Sequence, residues 1–180
     1  MSSAALVIKE IKPARFKDKA FKAALAKAAK KAGKDIKKDF EATTKTWKHK
    51  VKFTVVSALD PNIEVLVGTD DEIYGYVNSG TGLWGPKHSK YPIFAGIYTG
   101  KSNKKALAFP ASYKAKTRPR VIGSTGGGSS GPIVIRPYVE HPGIKPREFD
   151  KVIQKKWVSP FKRRMERAMR DAAKASGHSM

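Results

Sequence analysis

The chain has 180 residues, with 37 Lys and Arg against 15 Asp and Glu, a formal net charge of +22 and no cysteine. A 40% hydrophobic share supports one packed core, so the length fits a single domain over residues 1–180, with or without extended arms. The lack of cysteine excludes disulfide scaffolds, thiol catalysis and thiolate metal sites, and no apolar run approaches the roughly 20 residues that cross a bilayer.

At the N-terminus, MSSAALVIKEIK has too short an apolar stretch, and no basic region before it, for a secretory signal. Leu6–Ile11 is β-branched and reads as a short strand before Pro13, which suits a helical first turn. Phe21, Leu25, Ala28, Ala29, Ala32, Ile36 and Phe40 then recur at three- and four-residue spacings and predict a long helix with one apolar stripe. Lys27, Lys30, Lys31, Lys34 and Lys38 repeat on another face. Gly33 costs roughly 1 kcal/mol against Ala in a helix interior, so a bend or helix end is expected near it. From Trp47 to Val67 the period falls to two: Val51, Phe53 and Val55, then Ile63, Val65 and Val67, predict an antiparallel hairpin turning at Leu59-Asp60-Pro61-Asn62. Thr69 or Asp70 is placed to cap a short helix through Asp71, Glu72, Ile73, Tyr76 and Val77.

Lys105–Ser112 and Pro132–Val139 are further strand candidates, with Pro110 and Pro137 marking edges, ends or bulges. Between them Gly123–Gly131 (GSTGGGSSG) reads as a flexible hairpin tip flanked by Lys114, Lys116, Arg118 and Arg120. The last helix is predicted over about 146–176, with a kink or two abutting helices at Ser159-Pro160. Helix, hairpin, short helix, strands and helix in this order predict an α+β fold. The long N- and C-terminal helices pack on an antiparallel sheet that carries an extended Gly-rich loop.

The charge is unevenly spread. Residues 1–52 carry 16 basic against 5 acidic residues and 145–180 carry 11 against 4. Between Lys52 and Lys87 the charged residues are all acidic: Asp60, Glu64, Asp70, Asp71 and Glu72. Such an acidic strip repels phosphate but can meet the basic helices of a neighbouring copy in a ring; as single residues these acids also fit loops and helix first turns. The lysines of the first helix and the 114–120 cluster are candidate contacts to nucleic-acid backbone or to a partner, although a helix with one apolar stripe exposes lysines to solvent in any case. No base-reading motif is present, so such a contact is non-specific.

Catalytic constellations are weak. His49, His88, His141 and His178 are not at the i, i+4 spacing of a helical metal pair and no carboxylate cluster joins them. GSTGGGSSG lacks the Gly-Lys-Ser/Thr that closes a phosphate loop, and Ser79 and Ser124 sit in no nucleophile elbow. Consecutive acids at 70–72 do not converge on one cation. These readings point away from an enzyme, a cofactor or a metal.

Three segments carry a family resemblance. The run Tyr74-Gly75-Tyr76-Val77-Asn78-Ser79-Gly80-Thr81-Gly82 is followed by Trp84-Gly85-Pro86 and Tyr91-Pro92-Ile93. It resembles the "Tyr, hydrophobic, polar, Gly-Thr-Gly" block that follows a short helix in the tail-completion proteins of tailed phages, the group of the lambda minor tail protein Z. Lys105–Pro110 is similar to the next strand of that family. His141-Pro142-Gly143-Ile144-Lys145-Pro146-Arg147-Glu148-Phe149 is similar to its closing motif, which opens the last helix. The three occur in the family's order, with the match spanning roughly 13–175.

The resemblance implies a non-enzymatic virion protein of the phage neck. It would act in multiple copies in a ring at the head-proximal end of the tail, with tail terminator, tail tube and head-closure proteins as neighbours. It would be assembled in the host cytoplasm, with DNA passing by. Within it, Gly80, Thr81 and Gly82, and Pro142, Gly143 and Pro146, are expected to fix turns. Arg147 is expected to hold a carboxylate bidentately, Asp70 or Glu72 of the same or a neighbouring copy. The other reading of the charge is a free-standing, non-specific nucleic-acid-binding protein using its basic helices; a small basic nuclease lacks a convergent His/Glu/Asp set.

Overall fold

The computed structural model describes residues 19–59, 62–95, 105–123 and 126–175. The expected strand Leu6–Ile11, Pro13, Asp60, Pro61, Ser124 and His178 lie outside them. Among the described residues the fold is α+β. The helices are α1 (Lys19–Thr44), α2 (Glu72–Ser79) and α3 (Phe149–Ala175). The strands are β1 (Thr54–Ala58), β2 (Glu64–Gly68), β3 (Tyr91–Phe94), β4 (Leu107–Tyr113), β5 (Ser129–Arg136) and β6 (Tyr138–His141). They form three separate two-stranded antiparallel sheets, β1–β2, β3–β6 and β4–β5, where the sequence suggested one. The chain divides into two compact units, one of the residues up to Asp71 with those from Phe149 onward, the other Glu72–Glu148. No described helix is long and apolar enough to cross a membrane.

In the first unit α1 is the central element. Phe21, Leu25, Ala29, Ala32, Ile36 and Phe40 are buried along it, the stripe expected from their spacing. The hairpin turns Phe53, Val65 and Val67 toward the core, with Val55 paired to Val67 and Ser57 to Val65. Phe40 and Phe53 stack at 5.4 Å. Fully burying a side chain of this size stabilises by roughly 1.5–3 kcal/mol, so this layer holds the first unit together. No helix end falls at Gly33: α1 runs through it. A Cβ there would stand 2.5 Å from Val55 Cγ1 and 3.1 Å from Val65 Cγ1, so the glycine lets the hairpin lie directly on the helix backbone. At the C-terminal end, the Thr43 hydroxyl donates to the Phe40 carbonyl (2.6 Å) and that of Thr44 to the Glu41 carbonyl (3.2 Å), each bonding back by three residues onto the last turn.

Helix α3 runs antiparallel to α1, as its cross-links require. Arg164 donates to Asp35 (3.0 Å), while Lys156 (2.8 Å) and the Trp157 indole (2.6 Å) donate to Asp39. Phe149, Ile153, Phe161, Met165 and Ala173 are its buried side chains, all on one i+4 line. The kink or break expected at Ser159-Pro160 does not divide it. Pro160 removes one backbone donor, but Trp157 and Phe161 on either side are held in the packing. Helix α3 begins at Phe149, three residues after the expected Pro146, because Glu148 has a φ of +52°, a left-handed conformation that a right-handed helix cannot contain.

The second unit buries far less. Helix α2 places Tyr74, Gly75 and Asn78 inward. The expected strand Pro132–Val139 is two strands, β5 and β6, parted at Pro137, which cannot donate to a ladder. β5 pairs with β4, and β6 with β3. The register shifts between Pro110 and Ser112, where Gly131 and Pro132 face the single Ala111: a bulge at a proline, as the sequence suggested. Part of the expected flexible tip is ladder, because Ser129 and Ser130 pair with Tyr113 and Ser112.

Candidate assembly interface

The two motif segments, sixty residues apart, meet in the second unit as a clasp. The Thr81 N–H donates to the Ile144 carbonyl (2.9 Å) and the Leu83 N–H to the Pro142 carbonyl (2.8 Å). In return the Ile144 N–H donates to Thr81 Oγ1 (3.0 Å). Gly82 (φ +62°) and Gly143 (φ +97°) face each other across this contact. A Cβ on Gly82 would strike the Pro142 carbonyl and one on Gly143 the Thr81 carbonyl, so both positions need glycine for conformation and for space. Gly80 ends α2, its N–H donating to the Tyr76 carbonyl at 2.9 Å. The Lys145 ammonium lies 5.4 Å from the centre of the Trp84 ring, a contact of about 0.5–1 kcal/mol where exposed.

Within one copy Arg147 is the hub of the clasp. It is only 7% exposed. Its Nε donates to Thr117 Oγ1 (3.1 Å) and a terminal nitrogen to the Lys145 carbonyl (2.7 Å). Its backbone N–H is shared by the Val77 and Asn78 carbonyls (3.1 Å each), that of Glu148 goes to Asn78 (3.0 Å), and its own carbonyl accepts from the Arg120 N–H (2.9 Å). These bonds close the C-terminal end of α2. Burial lowers the pKa of Arg147 and the neighbouring Tyr113 opposes that. The bidentate pairing with Glu72 expected within one copy is therefore not formed; the carboxylate of this neighbourhood is Glu148, which accepts from Arg120 at 2.9 Å.

His141 accepts at Nδ1 from the Gly143 N–H (2.9 Å), which bridges the Pro142 turn, and its ring packs on Tyr91 at 5.3 Å. Desolvation lowers its pKa below 6.5, in keeping with an accepting, neutral ring nitrogen. Tyr74 is fully buried and Phe149 is buried at the start of α3, whereas Tyr76 is exposed.

The acidic strip is not one feature. Asp60 is outside the described residues, Glu64 lies half-buried in β2, Asp70 is exposed, and Glu72 opens α2. Asp71 accepts from His49, and its N–H donates to Thr69 Oγ1 at 3.2 Å, so Thr69 shapes the turn before α2. Lys27, Lys30, Lys31, Lys34 and Lys38 are all exposed on α1, and Lys114, Lys116 and Arg118 are exposed in the loop after β4. That loop is tied to the clasp by the buried Thr117 hydroxyl and the Arg120 backbone N–H, while the Arg120 side chain stays exposed. Among the described residues no group of three or more His, Asp or Glu could hold a metal.

One set of surface residues escaped the sequence reading. Ile133 and Ile135 on β5 are 63% and 64% exposed and share a face with Ala108 and Pro110 of β4, their paired residues. On the other ribbon, Phe94 (47%) and Tyr138 (53%) stack at 6.0 Å. The signal was present: in Pro-Ile-Val-Ile the isoleucines alternate with Val134, which marks them as one face of a strand, though not which face is covered. No family model, curated protein or solved structure matches the chain.

Proposed function

We propose that this chain is a structural subunit of the neck of a tailed phage. In this reading, copies form a ring around the DNA path, complete the head-proximal end of the tail and join it to the DNA-filled head. Its neighbours there are further copies of itself and the tail terminator, tail tube and head-closure proteins. Its place is the virion, assembled in the host cytoplasm, and its motif residues serve backbone geometry rather than catalysis.

Support comes first from the resemblance, whose Gly-Thr-Gly and His-Pro-Gly segments form one interlocked clasp. The observation that carries the reading is the apolar face of the second unit's ribbons. Two-stranded ribbons whose edges are unpaired among the described residues, with exposed Ile133, Ile135, Phe94 and Tyr138, are surfaces that proteins cover by assembly. The test is assembly in cells infected by phage with the gene deleted. Loss of the chain should leave filled heads and tails unjoined, and supplying it should restore virions that contain it in a fixed ring stoichiometry. The double variant Ile133→Asp/Ile135→Asp should fold, fail to enter tails and fail to restore joining. Virions and tails that form normally without the chain would sink the reading.

A further inference from the structure

Two lines of positive charge run along the first unit. On α1, Lys27, Lys30, Lys31, Lys34 and Lys38 lie, at about 100° per residue, opposite the buried line through Ala29, Ala32 and Ile36. On α3, Arg163, Arg167, Arg170 and Lys174 are all exposed and recur at i, i+4, i+7 and i+11, turned away from buried Phe161 and Met165. The Asp35–Arg164 and Asp39–Lys156 pairs set the helices antiparallel, and the hairpin covers α1 at Gly33. Following each helix outward from that seam brings both lines to the side away from the hairpin. Each line is about 16 Å long at 1.5 Å per residue, and packed helix axes stand roughly 8–10 Å apart.

Little on this face neutralises the charge. Helix α1 carries eight Lys against Asp35, Asp39 and Glu41, and α3 nine Lys and Arg against Asp150, Glu166 and Asp171. Asp35 and Asp39 are drawn into the seam, where Asp35 also lies 3.6 Å from Lys38 at the end of the α1 line, and Glu41 lies 3.7 Å from Lys37. Asp171 stays exposed beside the α3 line. Among the described residues, Val158 is the one exposed large apolar side chain on either helix, so the face lacks the apolar anchors that centre a protein interface. It also offers no stacking aromatic for single strands, since Trp157 is tied to Asp39 and stands under Arg164 at 5.5 Å.

We propose that this two-helix face binds the phosphate backbone of double-stranded DNA without reading sequence. Two charged lines at this separation fit two phosphate rows bordering a groove, the major groove being about 12 Å wide. The inference does not rest on the neck reading, because the isolated chain binds DNA here whatever assembly it serves.

The experiment is fluorescence anisotropy of the full chain with a random-sequence 30-base-pair duplex across a salt series. With both lines engaged through about eight contacts, the slope of log affinity against log salt is near −7. The sets Lys27→Gln/Lys30→Gln/Lys31→Gln/Lys34→Gln and Arg163→Gln/Arg167→Gln/Arg170→Gln/Lys174→Gln should each weaken binding more than about tenfold at low salt and bring the slope near −3 to −4. Lys114→Gln/Lys116→Gln/Arg118→Gln, in the other unit, should change it little. Equal loss in that third set, no loss in the first two, or displacement of the duplex by polyglutamate as effective as by unlabelled duplex overturns the proposal. Lysine acetylation of the unaltered protein provides a readout independent of mutant folding: duplex should protect Lys27, Lys30, Lys31, Lys34 and Lys174 but not Lys114, and uniform protection also overturns it.

Discussion

The two units of this chain are held by different physics. The first has a side-chain core: a helix stripe, a hairpin face and a second helix meet on fully buried Ile36, Phe40, Ile63, Val65 and Met165. The second has Tyr74, Ala95 and Leu107 as its buried apolar residues among those described, and is fastened by backbone hydrogen bonds between the Gly80–Leu83 and Pro142–Glu148 segments. A core tolerates conservative exchange of apolar side chains if volume is kept. A backbone clasp tolerates almost any side chain except at its glycines, where a single Cβ is too large. Sequence constraint is therefore spread thinly over many positions in one unit and concentrated on a few in the other.

The sharpest way to break this contrast is to damage each unit in its own terms. Phe40→Ala should cost about 3–5 kcal/mol in urea unfolding of the first unit, and hydrogen exchange should show the Thr81–Ile144 clasp still protected. Gly143→Ala should cost less, about 2–3 kcal/mol, from a strained φ and a steric clash, with lost protection confined to the second unit. If either change melts both units to the same extent, the division into two separately stabilised units is wrong.

A smaller effect concerns acid. Because the folded-state pKa of His141 lies below its unfolded value, folding is unaffected at high pH, where the ring is neutral in both states. As pH falls through about 6.5 the unfolded chain takes up the proton first, and stability is lost. Clasp protection should weaken between pH 7 and 5. His141→Asn, whose side-chain oxygen can accept the same i+2 N–H, should flatten that dependence; an unchanged slope in the variant would remove His141 as its cause.

The first unit was largely legible because its signals are local. Three- and four-residue spacing from Phe21 to Phe40 and alternation from Val51 to Val67 each name a face without knowledge of what covers it. Gly33 misled for the same reason: propensity records its cost, while its benefit lies in Val55, twenty-two residues on. The clasp was visible only as turn chemistry. Nothing in Thr81 or Ile144 indicates that they bond to each other, and Arg147 is a type of residue seldom buried, so its charge suggested a carboxylate when its place required carbonyl and hydroxyl acceptors. β3 was hidden because Pro92 and exposed Tyr91 and Phe94 break any alternation. The α3 basic line lay in plain spacing but was overshadowed by the apolar i+4 line on the same helix.

The first unit is also built from segments that leave the ribosome far apart. β2 ends at Gly68 and α3 starts at Phe149. At roughly 5–20 residues per second, about 4–16 s of translation separates them. During that interval Asp35 lacks Arg164, Asp39 lacks Lys156 and Trp157, and one side of α1 has no helix against it, while Glu72–Glu148 is being synthesised. The unit with the larger core is therefore the one finished last. A chaperone or an early-arriving partner has its window on α1 before the final helix docks.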